Sequence, residues 1–416
     1  MRKGRMRMSE TTFVPVLLGS DVNVYGMARS FHEAYGLRSV AVAKGRLGAT
    51  SNSRIVTVAV TEPRLEEDEV FVDTLIRFAG RYDRAVPLLL VPCGDNYIKL
   101  LARNQDQLRP YYRFAVSGAD LLERLSTKET FYEVCTEHGF LFPKTDTCTP
   151  ETYKGYRPPF DFPVVIKPSN SVAYWNCRFP HKKKVFVAYS EGEFDAILTA
   201  IYGSDYQDHL VIQEFIPGDD SHMRVMNLYR GTDGKVRLAA LGQALLEEHS
   251  PEGIGSYAAI LPITDEDLTR RMIGFLDAIG YVGFANFDMK YDDRDGQYKL
   301  FEMNPRQGRS SYFSTAAGGN LARVLAEDVI FGRDAGLTVA DREVLWTILP
   351  NRIIFRYVAD ETLRGTARRL IREKKVCRSL DYPPDRSFKR RWYFCKNQMS
   401  YYKKYKKYFG NKGLTG

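Results

Sequence analysis

The segment FDMKYDDRDGQYKLFEMNPRQGRSS, residues 287–311, decides how this chain folds. Two runs of alternating apolar and polar residues flank Asp292–Gly296, and Asp-Gly between such runs signals a β-hairpin. Folded symmetrically about Asp295, the hairpin sets Asp288 across from Glu302. Asn304 lies two residues beyond Glu302 and shares its face. Phe287, Met289, Phe301 and Met303 are expected to point the other way, into a core. Carboxylates directly across an antiparallel pair repel each other, and a cation between them relieves the repulsion. Asp, Glu and Asn supply hard oxygen donors. A few such ligands suit Mg²⁺ held together with substrate phosphates. A solvated hairpin edge with ordinary acidic residues is the plain alternative.

Arg306 and Arg309 follow, then Ser310 and a run of small residues, 314–319. An arginine fork matches phosphate or carboxylate oxygens in two parallel bonds; an exposed loop of paired arginines would look the same. Upstream, Lys167 ends the β-rich run Val164–Lys167, where its ammonium could reach a phosphate or simply face water. Glu214-Phe215-Ile216 closes the next strand. Ser126 and Glu129 read as a capping box opening a helix to about His138, Ser190 and Glu193 as a second, and Thr264 as the cap of a helix over about 265–279. A further hairpin is expected about Gly231–Gly234.

The first third alternates strands and helices: 13–18, 39–43, 54–60 and 87–92 are β-rich, with helical spacing over 24–36 and 68–80. That alternation predicts a parallel sheet, whose ligands bind beyond the carboxyl ends of its strands. Those ends are Gly19–Asn23, with Asp21 and Asn23 as candidate substrate contacts beside Arg309 and Ser310, and Cys93–Asn96. Gly, Asp and Asn populate plain turns as well.

In this order the residues resemble the ATP-grasp superfamily: a helix-opening Lys128, a strand lysine in VVIKPSNS, a hinge in VIQEFIPGDDSHMRV, and the acidic hairpin ending in Glu-x-Asn-Pro-Arg. Within it, carboxylate–amine ligases are most similar, with GSDVNVYGMARSFHE, VPCGDNYIKLLARNQDQL and KPSNSVAYW resembling bacterial D-aspartate ligases of peptidoglycan assembly. The resemblance implies an α/β protein with a Rossmann-like domain over 1–115. A two-part ATP-grasp domain over 116–335 would follow, its lid subdomain at about 145–212, and then a basic helical C-terminal region over 336–416. It implies ATP and Mg²⁺, or Mn²⁺, as cofactors. Lys128 and Lys167 would contact the phosphates, with Lys167 also near the adenine. Glu214, Phe215 and Ile216 would hold the adenine, and Asp219 or Asp220 the ribose. Asp288, Glu302 and Asn304 would hold the metal, and Arg306 with Lys167 would act in catalysis. The phosphate-covering loop of the family is glycine-rich, whereas residues 168–183 here contain no glycine. Ser169, Asn170, Ser171 and Lys182–Lys184 are the candidate replacements. The first metal ligand is Asp288 where the family commonly has Glu. A bicarbonate-using carboxylase or carbamoyl-phosphate-type enzyme, a kinase and a non-catalytic nucleotide-binding protein are the rival readings.

The chain has 416 residues, 44% of them hydrophobic and 27% charged, a composition that excludes collagen, generic disorder and small disulfide scaffolds. No run resembles the ~20 apolar residues of a membrane span. The basic start, residues 1–10, lacks the apolar segment of a secretory signal. Six scattered cysteines, with no Cys-x-x-Cys pair, read as reduced thiols and point to the cytoplasm. The net charge of +9 divides unevenly. From Arg364 onward there are 17 basic and 3 acidic residues, leaving 43 against 48 before it. Basicity therefore belongs to the tail, which argues against a general nucleic-acid binder. Over 386–412, Lys and Arg interleave with Trp392, Tyr393, Phe394, Tyr401, Tyr402, Tyr405, Tyr408 and Phe409. This composition fits a docked helix, contact with an anionic membrane surface, or single-stranded nucleic acid, in that order. Small-molecule carboxylate and amine substrates are the expected partners; composition leaves the oligomeric state open.

Overall fold

A computed structural model describes residues 13–183, 185–251 and 253–409. The basic start, Lys184 and Lys412 lie outside the described residues, as does the side chain of Ser171. Strands β1 (Val14–Leu18), β2 (Ser39–Ala43), β3 (Val56–Thr61) and β4 (Leu88–Pro92) form a parallel sheet in the order β3-β2-β1-β4. Helices α1 (Val22–Tyr35), α2 (Asp68–Ala79), α3 (Asp95–Arg103) and the short α4 (Gln105–Leu108) accompany it. β1 and β4 are apolar runs because both faces of a parallel sheet are covered. Strand order reverses between them, so a crevice opens beyond their carboxyl ends. Gly19 makes the turn there with a φ of +112°, a conformation that favours glycine.

α5 (Ala119–Ser126) and α6 (Lys128–Glu137) lead to an antiparallel sheet of β5 (Thr145–Cys148), β6 (Val164–Pro168), β7 (Phe186–Ala188) and β8 (Leu210–Glu214), ordered β5-β8-β6-β7. With α7 (Ser171–Asn176) and α8 (Glu191–Tyr202) this sheet encloses a core of its own, built on Phe186, Phe194, Ile197 and Ile212. A body with a separate core can shift as a unit about the chain that joins it to the rest.

The central sheet runs β13-β12-β9-β10-β11-β15-β16, with β14 added on β10. Its strands are β9 (Met223–Arg230), β10 (Val236–Glu247), β11 (Tyr257–Ile263), β12 (Gly283–Asp292), β13 (Gln297–Asn304), β14 (Thr338–Val339), β15 (Leu345–Thr347) and β16 (Val376–Cys377). α9 (Glu266–Ala278), α10 (Tyr312–Ala316), α11 (Leu321–Val329), α12 (Asn351–Tyr357), α13 (Glu361–Arg372) and α14 (Phe388–Tyr408) pack around it. Two apolar clusters run continuously from the parallel sheet into the central sheet. The stretch from residue 336 on, expected as a region apart, contributes three strands to this sheet.

Several local expectations shift. Ser126 closes α5 instead of capping α6; the N-cap is Thr127, and the Glu129 carboxylate pairs with His209 at 2.9 Å. Asp265 caps α9 in place of Thr264, its carboxylate accepting from the Leu268 amide. In the decisive hairpin, Asp288 pairs with Glu302 and Phe287 with Met303, but Met289 then pairs with Leu300. A β-bulge makes Phe301 the extra residue. Leu300 takes the core position expected for Phe301, which turns to the cleft instead.

The basic tail forms α14 and docks. Tyr405 is buried and its hydroxyl donates to the Glu247 carbonyl at 2.6 Å. Arg390 is buried, forms an ion pair with Asp385 at 2.9 Å and donates to the Ala49 and Ser51 carbonyls. Of the three readings of the tail, the docked helix accounts for its inner face.

Candidate active site

The strand alternation of β12 places Asn286, Asp288 and Lys290 on one face, opposite the Phe287 and Met289 that anchor the hairpin to the core. That face looks across a cleft of about 280 Å³ at the small antiparallel sheet. Lys128, Lys167, Glu214–Ile216, Lys290, Asp288, Phe301 and Glu302 line it. A second cavity carries Lys128, Glu302 and Asn304 on one side and Ser169, Asn170 and His209 on the other. The structure thus brings together most of the expected nucleotide and metal residues.

Asp288 and Glu302 stand in register on neighbouring strands. Asp288 is half-buried; Asn304 donates to its Oδ2 at 3.2 Å, while its buried Oδ1 has no hydrogen-bond partner among the described residues. Burial first, and the Glu302 charge second, raise its carboxyl well above the usual range. Lys128 lies 3.5 Å from the other carboxylate, Glu302. Burial works against that ammonium, but Glu302 outweighs it and holds the group above its ordinary value. The repulsion is thus partly met by the Lys128 ammonium beside Glu302. No cage of three or more His, Cys, Asp or Glu side chains exists among the described residues. Two carboxylates and an amide oxygen fit a hard cation that completes its shell with phosphate oxygens and water. The orphaned Asp288 Oδ1 is an atom such an ion would satisfy.

Lys167 donates to Gln213 at 2.9 Å and lies 5.3 Å over the Phe301 ring, so the bulge gives this cation an aromatic face. Lys290, which sequence reasoning passed over, donates to the Ile216 and Gly218 carbonyls at 2.9 and 2.7 Å and fixes the hinge. Its signal was its place two residues from Asp288 on the same strand face. The amides of Glu214 and Phe215 are taken by the Lys144 and Pro163 carbonyls. The Glu214 carboxylate accepts from the Lys144 amide and pairs with Arg294 at 3.4 Å. Neither ribose candidate lines the cleft. Asp220 is buried, tying the Glu247 amide and His249 at 2.9 and 2.7 Å. Asp219 caps its own turn, accepting from Ser221 and bonding His222.

The glycine-free loop folds as α7, with Asn170 capping it by accepting from the Ala173 amide. Ser169 donates to the His209 carbonyl. Lys182, expected at the phosphates, donates instead to the Trp175 and Cys177 carbonyls at 2.9 and 2.6 Å. A helical segment satisfies its backbone internally, so it needs no glycine.

The Glu-x-Asn-Pro-Arg loop reaches the crevice of the parallel sheet. Arg306 grips Asp95 through two bonds of 2.7 and 2.9 Å. Asn23 is buried and donates to the Cys93 and Gln307 carbonyls at 3.0 and 2.8 Å, joining the two sheets instead of facing a cavity. Ser310 is buried too, its carbonyl accepting from Phe313. Asp21 caps α1 and lines a separate cavity with Arg309. Burial raises its carboxyl, against the Val24 and Asn23 amides and the charges of Arg309 and Arg306.

No protein-family model matches the chain. It is 43% identical over 409 residues to a D-aspartate ligase of Enterococcus faecium, covering 95% of this chain and 97% of that protein. Among solved structures it superposes on an L-amino acid ligase from Bacillus licheniformis with a TM-score of 0.54, at 14% identity, over 77% of this chain and 75% of that one. It superposes on the N5-carboxyaminoimidazole ribonucleotide synthetase of Thermus thermophilus with a TM-score of 0.57, at 17% identity, over 80% and 82%. The folds agree with the three-sheet arrangement described above, and the near full-length identity carries the family. The chain belongs to the D-aspartate ligase family of ATP-grasp carboxylate–amine ligases, which use ATP to form a C–N bond.

Proposed function

We propose that this ligase activates D-aspartate and joins it to the amine of a peptidoglycan precursor. The observation that carries the reading is the 43% identity, over almost the whole length, to a D-aspartate ligase. A carboxylate is a poor electrophile because its leaving group would be oxide. One carboxylate oxygen of the acid attacks the γ-phosphorus of ATP and ADP leaves, giving an acyl phosphate. The amine nitrogen then attacks the acyl carbon, the C–O bond to phosphate breaks, and the amine proton is lost as the amide forms. Splitting one hard step into two is the gain.

Lys128 and Lys167 hold phosphate oxygens from the two sides of the cleft, and the Lys290-braced hinge receives the adenine. Asp288, Glu302 and Asn304 would hold Mg²⁺, or Mn²⁺, which offsets phosphate charge when bound. Arg306, oriented by its two bonds to Asp95, supplies a fixed cation where the phosphoryl group transfers. The bicarbonate-using alternative is not better supported, since the full-length relative is a C–N ligase.

ADP release and hydroxamate formation are measured with D-aspartate, L-aspartate and other acids, with hydroxylamine trapping the acyl phosphate. D-aspartate is expected to give the highest rate, and Glu302→Ala to lose on the order of 10²–10³-fold. Wild-type activity in Glu302→Ala would remove the metal assignment, and a better acid would remove the donor assignment.

The outer face of α14 supports peripheral contact with an anionic membrane in the cytoplasm. Phe388 is 86%, Trp392 61% and Met399 63% exposed. Lys389, Arg391, Lys396, Lys403 and Lys406 flank them, and no acidic residue follows Asp385. Such cations contribute roughly 1 kcal/mol each near anionic lipid. No described helix is long and apolar enough to cross a membrane.

A further inference from the structure

A cavity of about 550 Å³, larger than the nucleotide cleft, lies beneath α14. Its floor is the carboxyl end of β10 and the start of β11, its side wall is the crevice of the parallel sheet, and its roof is the inner face of α14. Its volume falls within the range of sites that enclose a sizeable ligand. It borders the reacting centre: Glu247 faces the nucleotide cleft while its neighbour Glu248 faces this cavity. Tyr257, also in its wall, donates its hydroxyl to the Arg224 carbonyl at 2.9 Å on the side toward Asp288.

The roof is preformed. Arg390 binds the Ala49 and Ser51 carbonyls, Gln398 the Ile348 carbonyl and Tyr405 the Glu247 carbonyl. Gly48 lies so close under the Tyr393 ring that an added Cβ would come within 2.3 Å of it. Glu248, only 4% exposed, collects Arg309 at 3.1 Å and Lys404 at 3.5 Å. Both cations keep further N–H donors for a ligand. Asp21 adds a carboxylate at the side next to Arg309. The Ser250 hydroxyl, in a side chain more than nine-tenths buried, lines the same space with no hydrogen-bond partner among the described residues.

We propose that this cavity is the acceptor subsite. It takes a peptide-like ligand that carries an amine and several carboxylates. Asp21 and Glu248 face its ammonium end, Arg309 and Lys404 its carboxylates, and Tyr393 and Tyr401 its apolar stem. α14 is then the element that selects the acceptor, placed against the site by its inner face. This rests on the reading that the second substrate is an amine-bearing precursor.

The test uses the full chain and two amines. Hydroxylamine is too small to need the cavity; a synthetic lysine-containing peptide with free carboxylates is not. Lys404→Ala is expected to raise KM for the peptide at least tenfold and KM for hydroxylamine less than twofold. Lys404→Met keeps the apolar stem, so it should behave alike and removes packing as an explanation. Equal rises for both amines, or an unchanged KM for the peptide in both variants, overturn the proposal. If D-aspartate gives no hydroxamate and another acid does, the donor assignment fails separately, and the same comparison is made with that acid.

Discussion

The β12–β13 hairpin and helix α14 carry charge in opposite ways. The hairpin concentrates negative charge on one strand face at the edge of a cleft, with Asp288 half-buried and Glu302 exposed; α14 distributes positive charge around a helix and keeps most of it wet. In the hairpin, neighbours along the chain set the geometry: the turn pairs Asp292 with Gln297, and the bulge at Phe301 then sets Asp288 opposite Glu302. In α14, partners far away along the chain set it: Arg390 meets Ala49 and Ser51, and Tyr405 meets Glu247. Local pairing can be read along a sequence, whereas a docking orientation has to be seen.

That contrast can be broken at several points. The largest effect is expected in the hairpin: Asp288→Asn should cut ADP formation on the order of 10²–10³-fold. It should also leave thermal stability equal or higher, because one of two facing carboxylates is gone. A loss of activity explained by unfolding in a melting curve would mean that the pair is structural.

Next in size is the anchor of α14. Asp385 is fully buried and receives Arg390, the Tyr25 and Ser53 hydroxyls and the Arg54 amide. Asp385→Ala leaves a buried guanidinium unpaired and should cost about 3–5 kcal/mol in denaturant unfolding. A cost under ~1 kcal/mol would show that α14 is a loosely held appendage.

The bulge predicts a smaller, selective change. Phe301→Leu removes the ring under Lys167 and should weaken ATP binding by about 0.5–2 kcal/mol, read as KM for ATP. An unchanged KM would place the nucleotide elsewhere.

The smallest effect on stability belongs to the outer face of α14. Trp392→Ser with Met399→Ser should move stability by less than ~0.5 kcal/mol each, since both side chains are exposed. Sedimentation with vesicles rich in anionic lipid should nonetheless fall sharply, and neutral vesicles should bind neither form. Equal sedimentation of the double variant and wild type would end the membrane reading.

Much of the site was legible because its residues sit in short, strongly patterned elements. The parallel sheet followed from apolar runs at strand length, and Asp288, Glu302 and Asn304 from a period of two. Phe301 was misplaced because a bulge adds one residue without changing composition. Ser126 and Thr264 lost the cap position to a neighbour, Thr127 by its extended backbone alone and Asp265 by its carboxylate. The ribose candidates lie away from the cleft for another reason. Asp220 is drawn to the Glu247 amide and His249, contacts that bridge separate strands and leave no trace in local spacing. Lys182 likewise gave no sign that it would close a helix within its own loop.

By itself, then, the amino-acid order determined the strand–helix alternation, the acidic pair and the basicity of the tail, since each depends on residues a few positions apart. Only the tertiary structure decided that the tail completes the molecule, roofing a cavity beside the cleft that Asp288 and Glu302 line. That outcome turns on buried ion pairs and carbonyl contacts between distant segments, whose free energy exists only once the sheets have brought those segments together.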